Sequence, residues 1–407
     1  MVGNRLWFVT NRCEVVCLDA EGFRDGENDG LLQDEIHVGK NEADIVWRFD
    51  LIASLDVTPR FLTSTSPTVV DGIVLVGTSN GIDSSRMNQE AWPPANPTVP
   101  SFIALEADTG RLLWQDSSPG ANILNGQWSS PAYGVIHGVP QAIFAGGDGW
   151  LYSFDFRELI NGRTNLLWKF DCNPKTSFWI IGGRGRRNSI IATPVIHENL
   201  VYIVTGQSPE HHEGEADLWC IDPTKRGDIS AQLVFNKSDP RKRVSQRRFQ
   251  ACDPEQGDFV KPNPNTGVVW QFDKHDQNGD GRITYDEQMN RAVATPSISQ
   301  GLLVIPDYSG VVHCLDAKSG KLFWQYELSA NVTSSPLVAD GKIYVADMDG
   351  DLAIFRLSHE LELINRIPCG RGVAGTLIAA GNTLYVPAHS TLFAISRNGE
   401  QGGRSEN

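Results

Sequence analysis

The chain predicts an all-β body of small stacked sheets, on the strength of two returning phrases and a regular run of tryptophans. Leu105-Glu106-Ala107-Asp108-Thr109-Gly110-Arg111-Leu112-Leu113-Trp114 returns as Leu315-Asp316-Ala317-Lys318-Ser319-Gly320-Lys321-Leu322-Phe323-Trp324. Ser66-Pro67-Thr68-Val69-Val70-Asp71-Gly72 returns as Ser335-Pro336-Leu337-Val338-Ala339-Asp340-Gly341. Each copy is too short to bury its own apolar face, so neighbours must stack. Stacking around a circle gives a β-propeller, in which 407 residues form one body, a single domain over 1–407.

The units open at Ser66, Ser130, Thr193, Thr295 and Ser335, with a looser copy at Gly375-Thr376-Leu377-Ile378. The last spacings are about 40 residues, which suits four short strands and their turns. An inner strand follows the proline and turns at Asp71-Gly72 or Asp340-Gly341 into a second strand, 73–76 or 343–345. The third strand is 311–315 or 352–355. The fourth ends each unit on Trp47, Trp114, Trp168, Trp270 or Trp324, while the sixth unit substitutes Leu361-Glu362-Leu363-Ile364. These strands sum to seven visible four-stranded blade units, the first without its inner strand and the last without its outer one. Eight blades are possible in an intact parent. Longer spacings mark insertions at about 207–216 and 226–265 and a third at 273–290. The chain starts inside a repeat, since 2–9 matches the back half of 338–345, so an inner strand is expected upstream and an export leader is not present in this chain.

A formal charge of −14 disfavours nonspecific adhesion to nucleic acid or anionic lipid. No run approaches the roughly 20 apolar residues of a membrane-spanning helix. The seven cysteines are odd in number and lack a Cys-x-x-Cys. Cys17, Cys220 and Cys314 share one strand position, Cys-(Leu/Ile)-Asp, as small buried filling. Two basic knots, Arg184/Arg186/Arg187 and 237–248, read as solvated loops or anion contacts.

The sharpest local motif is Asp276-Gln277-Asn278-Gly279-Asp280-Gly281-Arg282-Ile283-Thr284-Tyr285-Asp286-Glu287. It follows the EF-hand calcium loop, with Asp276, Asn278 and Asp280 as hard oxygens and Gly281 at the bend. Arg282 would give its carbonyl and Glu287 would close the shell. The strand of Trp270 stands where an entering helix would be, so the loop is EF-hand-like, and its expected work is structural. A short helix over 284–289 is compatible with it. His211-His212-Glu213-Gly214-Glu215-Ala216-Asp217 is either a polar surface loop or a transition-metal site. Turns at Gly146-Gly147-Asp148-Gly149-Trp150, Asp307-Tyr308-Ser309-Gly310 and Asp347-Met348-Asp349-Gly350 occupy one location and gather at one mouth, although tight hairpins need Asp and Gly anyway. Asn80, Asp83, Trp128 and Arg371 lie near blade ends.

The phrases Ala-x-Thr/Ser-Gly-x-x-x-Trp and Ser-Pro-x-x-x-x-Gly resemble the repeat of the pyrroloquinoline-quinone-like β-propeller superfamily, a WD-like repeat architecture. Its members include quinoprotein alcohol dehydrogenases and the outer-membrane β-barrel assembly lipoprotein. With its insertions and calcium loop the chain looks most like exported propeller proteins of planctomycete-type bacteria. The resemblance implies a periplasmic or cell-envelope location and a protein or envelope-polymer partner at the loop faces. It brings no quinone with it. The adjacent cysteines that hold the quinone in the dehydrogenases are missing, and the calcium motif here is sequential. The expected function is a non-catalytic scaffold or binding protein stabilised by Ca2+. A quinone-dependent or other oxidoreductase with its site at the mouth, and carbohydrate or small-ligand binding without turnover, stay open.

Overall fold

The computed structural model describes residues 1–86, 92–276 and 279–396. They divide into two compact units, Met1–Arg291 and Ala292–Asn407. In the first unit, a three-stranded sheet (Arg5–Val9, Glu14–Asp19, Asp44–Asp50) precedes a four-stranded one (Thr68–Val70, Ile73–Gly77, Phe102–Glu106, Leu112–Asp116). The third sheet runs Ala132–Ile136, Val139–Ala145, Trp150–Asp155 and Leu166–Asp171, with Gly227–Asp228 added in parallel at its edge. The fourth holds Val195–His197, Leu200–Val204, Leu218–Ile221 and Val268–Phe272. The second unit contains a fifth sheet (Ser297–Ser299, Leu302–Pro306, Val311–Asp316, Leu322–Glu327) and a sixth (Leu337–Ala339, Lys342–Ala346, Asp351–Arg356, Leu363–Pro368). A three-stranded seventh follows (Ile378–Ala380, Thr383–Ala388, Thr391–Ser396). Successive strands pair antiparallel, as in a meander.

The first hairpins are set by their turns. Asp71-Gly72 has φ of 47° and 74°, and Asp340-Gly341 has 49° and 67°. Both central residues of a two-residue hairpin need positive φ so that the turn follows the strand twist. Glu198-Asn199 makes the same turn without glycine, at 48° and 63°.

A sheet between two neighbours buries both faces, because alternate residues of a strand point to opposite sides. Val74 and Val76 pack with Trp7, Cys17 and Trp47, whereas Ile73 and Leu75 pack with Phe144, Tyr152 and Phe154 of the third sheet. In the second unit Trp324 and Val304 pack with Ile343, Val345 and Phe355.

The repeated tryptophans occupy matching places on the outer strands. Trp47 stands opposite Cys17, Trp114 opposite Ala104, Trp168 opposite Ser153, Trp270 opposite Cys220 and Trp324 opposite Cys314. The register slips immediately after that small residue in each of these pairings. A small partner leaves room for the indole to lie across the strand, and the bulge re-aims it. Cys17, Cys220 and Cys314 are therefore wedges of the right size, and burial pushes each thiol up to about 12. All seven cysteines are free thiols.

Three of the indole tips reach the next sheet's outer turn, whereas Trp168 Nε1 donates within its own sheet to Gln141 Oε1 at 2.8 Å. Trp47 Nε1 donates to the Ala107 carbonyl at 2.8 Å, Trp114 to Thr164 Oγ1 at 2.9 Å and Trp324 to the Ser358 carbonyl at 3.1 Å. Gly110, at φ 69°, lies under the Trp47 ring, where a Cβ would sit 2.5 Å from Cε3. The glycine of the phrase thus receives the tryptophan of the preceding unit.

The Ser/Thr-Pro phrase stitches the inner strands. The Ser66 amide donates to Ser130 Oγ at 2.8 Å, and Thr68 Oγ1 to the Pro131 carbonyl at 2.6 Å. In the second unit the Thr295 amide donates to Ser335 Oγ at 3.0 Å, and Ser297 Oγ to the Pro336 carbonyl at 2.6 Å.

Two expectations shift. The outer strand of the sixth sheet is Leu363–Pro368, later than the apolar run 361–364, because Leu363 pairs with Phe355 only after a register slip. The insertion over 226–265 is more than a loop. It forms its own sheet, Asp239–Arg243, Gln232–Asn236 and Asp258–Pro262, beside the added strand Gly227–Asp228.

Gly110→Ala is expected to lose about 3 kcal/mol, combining left-handed strain with overpacking against Trp47. Gly72→Ala, with open space around it, should lose about 1 kcal/mol from strain alone. Denaturant midpoints compare the two; equal losses would separate Gly110 from the indole contact.

Candidate functional site

In the first unit, loops joining second to third strands meet loops leading from one sheet to the next. The Leu124 amide donates to the Gly147 carbonyl at 2.9 Å, and the Ile82 amide to Asn125 O at 2.9 Å. Arg60, 5% exposed, donates to Asn125 Oδ1 at 3.0 Å and to Ser84 Oγ at 3.1 Å. Glu210 Oε1 accepts from Asn125 Nδ2 at 3.1 Å and lies 3.5 Å from Arg60 Nη2. Trp179 stacks on Phe249 with centroids 5.2 Å apart and meets Trp92 edge-on at 6.0 Å.

Arg291 ties the loops from below. It donates to Asn188 Oδ1 at 2.9 Å and to the carbonyls of His211 at 3.0 Å, Glu213 at 3.2 Å and Gly185 at 2.8 Å, and also reaches Gly183. Burial pushes its guanidinium down to about 10, so it stays charged at neutral pH.

The segment 211–217 is absorbed into this network. His211 is buried, its Nδ1 lies 2.7 Å from Gln207 Oε1, and burial lowers its pKa, keeping the ring neutral. Asp217 Oδ1 accepts from Gln271 at 2.7 Å and Arg186 at 3.2 Å. Arg186 also reaches Asp273 at 3.0 Å and Glu215 at 3.4 Å. Among the described residues, no three His, Cys, Asp or Glu side chains come together as a metal site. The basic knots likewise divide. Arg184 is exposed, whereas Arg187 is 1% exposed and bonded to Asp171 rather than solvated. Arg247 pairs with Asp258, and Arg248 donates to the Ile123 carbonyl at 2.8 Å.

The described part of the acidic loop folds back on Asp276. Asp276 Oδ1 accepts from the amides of Gly279 at 2.8 Å and Asp280 at 3.2 Å, and Oδ2 from Gly281 at 2.8 Å. Asp280 Oδ1 accepts from the Arg282 amide at 2.7 Å. Glu287, 2% exposed, caps the short helix Tyr285–Glu287, where its Oε2 accepts from the Thr284 amide at 3.0 Å and hydroxyl at 2.8 Å. Val268–Phe272 stands where an EF-hand carries its entering helix. Asn278 lies outside the described residues. Glu287 is committed to the cap.

The turn carboxylates hold their own turns. Asp347 Oδ1 accepts from the amides of Asp349, Gly350 and Asp351 at 3.1, 2.9 and 2.9 Å, and Asp307 Oδ1 from Ser309 at 3.0 Å. Asp148 Oδ1 accepts from the Trp150 amide at 3.2 Å, and its Oδ2 from Tyr152 Oη at 2.6 Å and Gln246 Nε2 at 2.7 Å. Asn80 bonds Thr58 N at 3.1 Å, Asp83 bonds Ser85 N at 3.0 Å, and Trp128 bonds the Arg60 carbonyl at 3.1 Å. Arg371 packs its backbone on Gly350. Arg60, Trp92, Trp179 and Arg291 were not legible from sequence, since they belong to no repeated phrase and meet only across long separations.

A family model described as outer membrane protein assembly factor BamB matches residues 255–362. The assembly factor BamB of Shewanella oneidensis is 32% identical over 82 residues, 20% of this chain and 21% of that protein. The BamB of Yersinia pestis is 24% identical over 298 residues, 71% of this chain and 60% of that protein. The chain thus spans less than two thirds of the length of either relative. The crystal structure of BamB from Moraxella catarrhalis superposes with a TM-score of 0.51 at 13% identity, over 95% of this chain and 77% of that one. That likeness carries the propeller fold.

Asp148 yields a pH test. Burial, opposed by Tyr152, the Trp150 amide, Gln246 and Arg187, raises its pKa from 3.8 to about 6. A raised carboxyl means that the folded state holds a proton the unfolded state has released, so its stability falls as pH climbs through that window. The melting temperature of the wild type is expected to drop relative to Asp148→Asn between about pH 4 and about pH 6 and to run parallel above it. A constant difference across the range would refute the shift.

Proposed function

We propose that this chain, whose repeats belong to the pyrroloquinoline-quinone-like β-propeller superfamily, serves as a non-catalytic scaffold or binding protein of the cell envelope. Its partner is a protein or an envelope polymer held at the loops. One observation carries this reading: the loops of the first unit are knit by internal bonds yet keep large apolar side chains in water. Arg60, Glu210, His211 and Arg291 are engaged within the chain, while Phe61, Leu62, Phe178 and Ile180 on the same loops are 53%, 58%, 48% and 43% exposed. Phe61 is braced for this, with its ring stacked on Trp128 at 6.4 Å and the Arg60 guanidinium 3.7 Å from its centroid. Exposed apolar groups on rigid loops mark binding surfaces. The likeness to assembly-factor relatives supports an envelope setting.

A photo-cross-linker at Leu62 or Phe178 is expected to trap one discrete envelope component, and Phe61→Ala should reduce that adduct several-fold. Titration with pyrroloquinoline quinone and calcium should leave the quinone absorbance unchanged. A saturable spectral change, with no adduct from either position, would replace the scaffold by an oxidoreductase.

Calcium belongs to the same proposal. Asp276, Asn278, Asp280, the Arg282 carbonyl and Glu287 would supply oxygens to a hard cation, which would strap the connection between Phe272 and Arg291. The entry of Asp276 into a coil closed by three backbone amides supports this. Calcium is expected to raise the melting temperature by several degrees and a chelator to reverse it. Glu287→Gln keeps an oxygen for the Thr284 cap but loses the charge, so it should abolish the response. A wild type indifferent to calcium would refute the strap.

A further inference from the structure

A cavity of about 290 Å³ opens in the first unit between the third sheet and the inserted sheet. Trp150, Lys169 and Asp171 line it from the third sheet, and Leu233, Arg243 and Gln246 from the insertion. Lys175 and Arg187 complete the wall from the connection that follows the third sheet. Four cations and two carboxylates thus line a pocket in a chain of net charge −14.

The buried charges leave donors over. Asp171 accepts from Lys175 Nζ at 2.8 Å, from Arg187 Nη2 at 3.3 Å on both oxygens, and from the Asn173 amide at 3.1 Å. The two cations outweigh burial and hold its pKa below the ordinary carboxylate value. With that carboxylate filled, Arg187 Nε and Nη1 have no acceptor, and neither has Trp150 Nε1. Arg187 is 1% and Trp150 3% exposed. Asp228, the second carboxylate of the wall, accepts from the Ser230 amide at 3.1 Å, and Asp148 nearby is occupied by Tyr152, Gln246 and the Trp150 amide. Lys175 and Lys169 sit 4.2 Å and 4.8 Å from the Trp150 ring centroid, adding positive potential. Every unmet group is a donor, and a buried guanidinium without acceptors is costly. Planar N–H pairs of this kind match the oxygens of a carboxylate or phosphate.

We propose that this cavity binds a small organic oxyanion, a carboxylate or a phosphate monoester, whose oxygens accept from Arg187 and Trp150. Lys169 and Arg243 at its rim attract the anion. The inserted strand Asp239–Arg243 and the segment through Gln246 then act as the outer wall of a binding site, which gives the insertion over 226–265 a purpose independent of any partner at the loops.

Calorimetry at constant ionic strength tests it with two probes, inorganic phosphate and succinate, against chloride. Saturable binding of phosphate alone would assign the phosphate class, and of succinate alone the carboxylate class. Trp150→Phe keeps the ring but removes the N–H and should weaken the bound probe roughly tenfold, the size expected for one hydrogen bond to a charged group. Arg243→Ala, at an exposed site, should weaken it several-fold without altering the melting temperature of the free protein. Should Trp150→Phe fail to fold, Arg243→Ala decides. No saturable heat from either probe, or affinities unchanged in both variants, would overturn the proposal.

Discussion

Each outer-strand indole faces a side chain too small to lift it from the sheet, and the N–H of Trp47, Trp114 and Trp324 then meets the neighbouring unit's turn. That contact explains both halves of the longer phrase. Trp47 is one end of it, and Ala107 and Gly110, in the next sheet, are the other. The cysteine, alanine or serine opposite the ring and the register slip beside it are conditions of the same fit. A larger residue at Cys17 or Ala104 would tilt the indole away from its acceptor and open the apolar layer between sheets. The inner strands carry a polar counterpart, in which the hydroxyls of Ser130 and Ser335 satisfy amides of the preceding unit.

Sheets held at both margins make loops available for other work. In the first unit they are filled with buried charge, Arg60, Arg187 and Arg291 among them, and Arg60 and Arg291 each gather acceptors from several segments. Five donors in a rigid fork let one arginine fix segments distant in sequence, something lysine does poorly. The pairing is complete around Arg291 and incomplete around Arg187. The difference sets apart a clamp from a wall that still offers hydrogen bonds, and the inserted sheet lies against the second.

The strand order, the hairpin turns and the tryptophan positions were legible because each is a local rule repeated in register. Asp71-Gly72 reads as a hairpin from its own two residues, and the shared setting of Cys17, Cys220 and Cys314 already marked a small buried site. The inserted sheet was not legible, since its strands occur once and Asp239–Arg243 reads as a basic run. In the acidic segment Asp276 draws three amides around itself and Glu287 caps the turn at Tyr285–Glu287. The 211–217 segment, open in sequence between a polar surface loop and a metal site, has its imidazole and carboxylate divided between Gln207 and Arg186.

From sequence alone came the all-β class, the repeat and the place of each indole, because periodic burial and turn chemistry act over a few residues. Only the tertiary structure decided which charged groups are paired. Asp171, Lys175 and Arg187 are near in the chain, but nothing in their spacing says that one carboxylate must serve two cations. That outcome depends on burial, which removes water as the alternative partner and leaves the unmatched N–H groups of Arg187 and Trp150 facing whatever the fold brings to them.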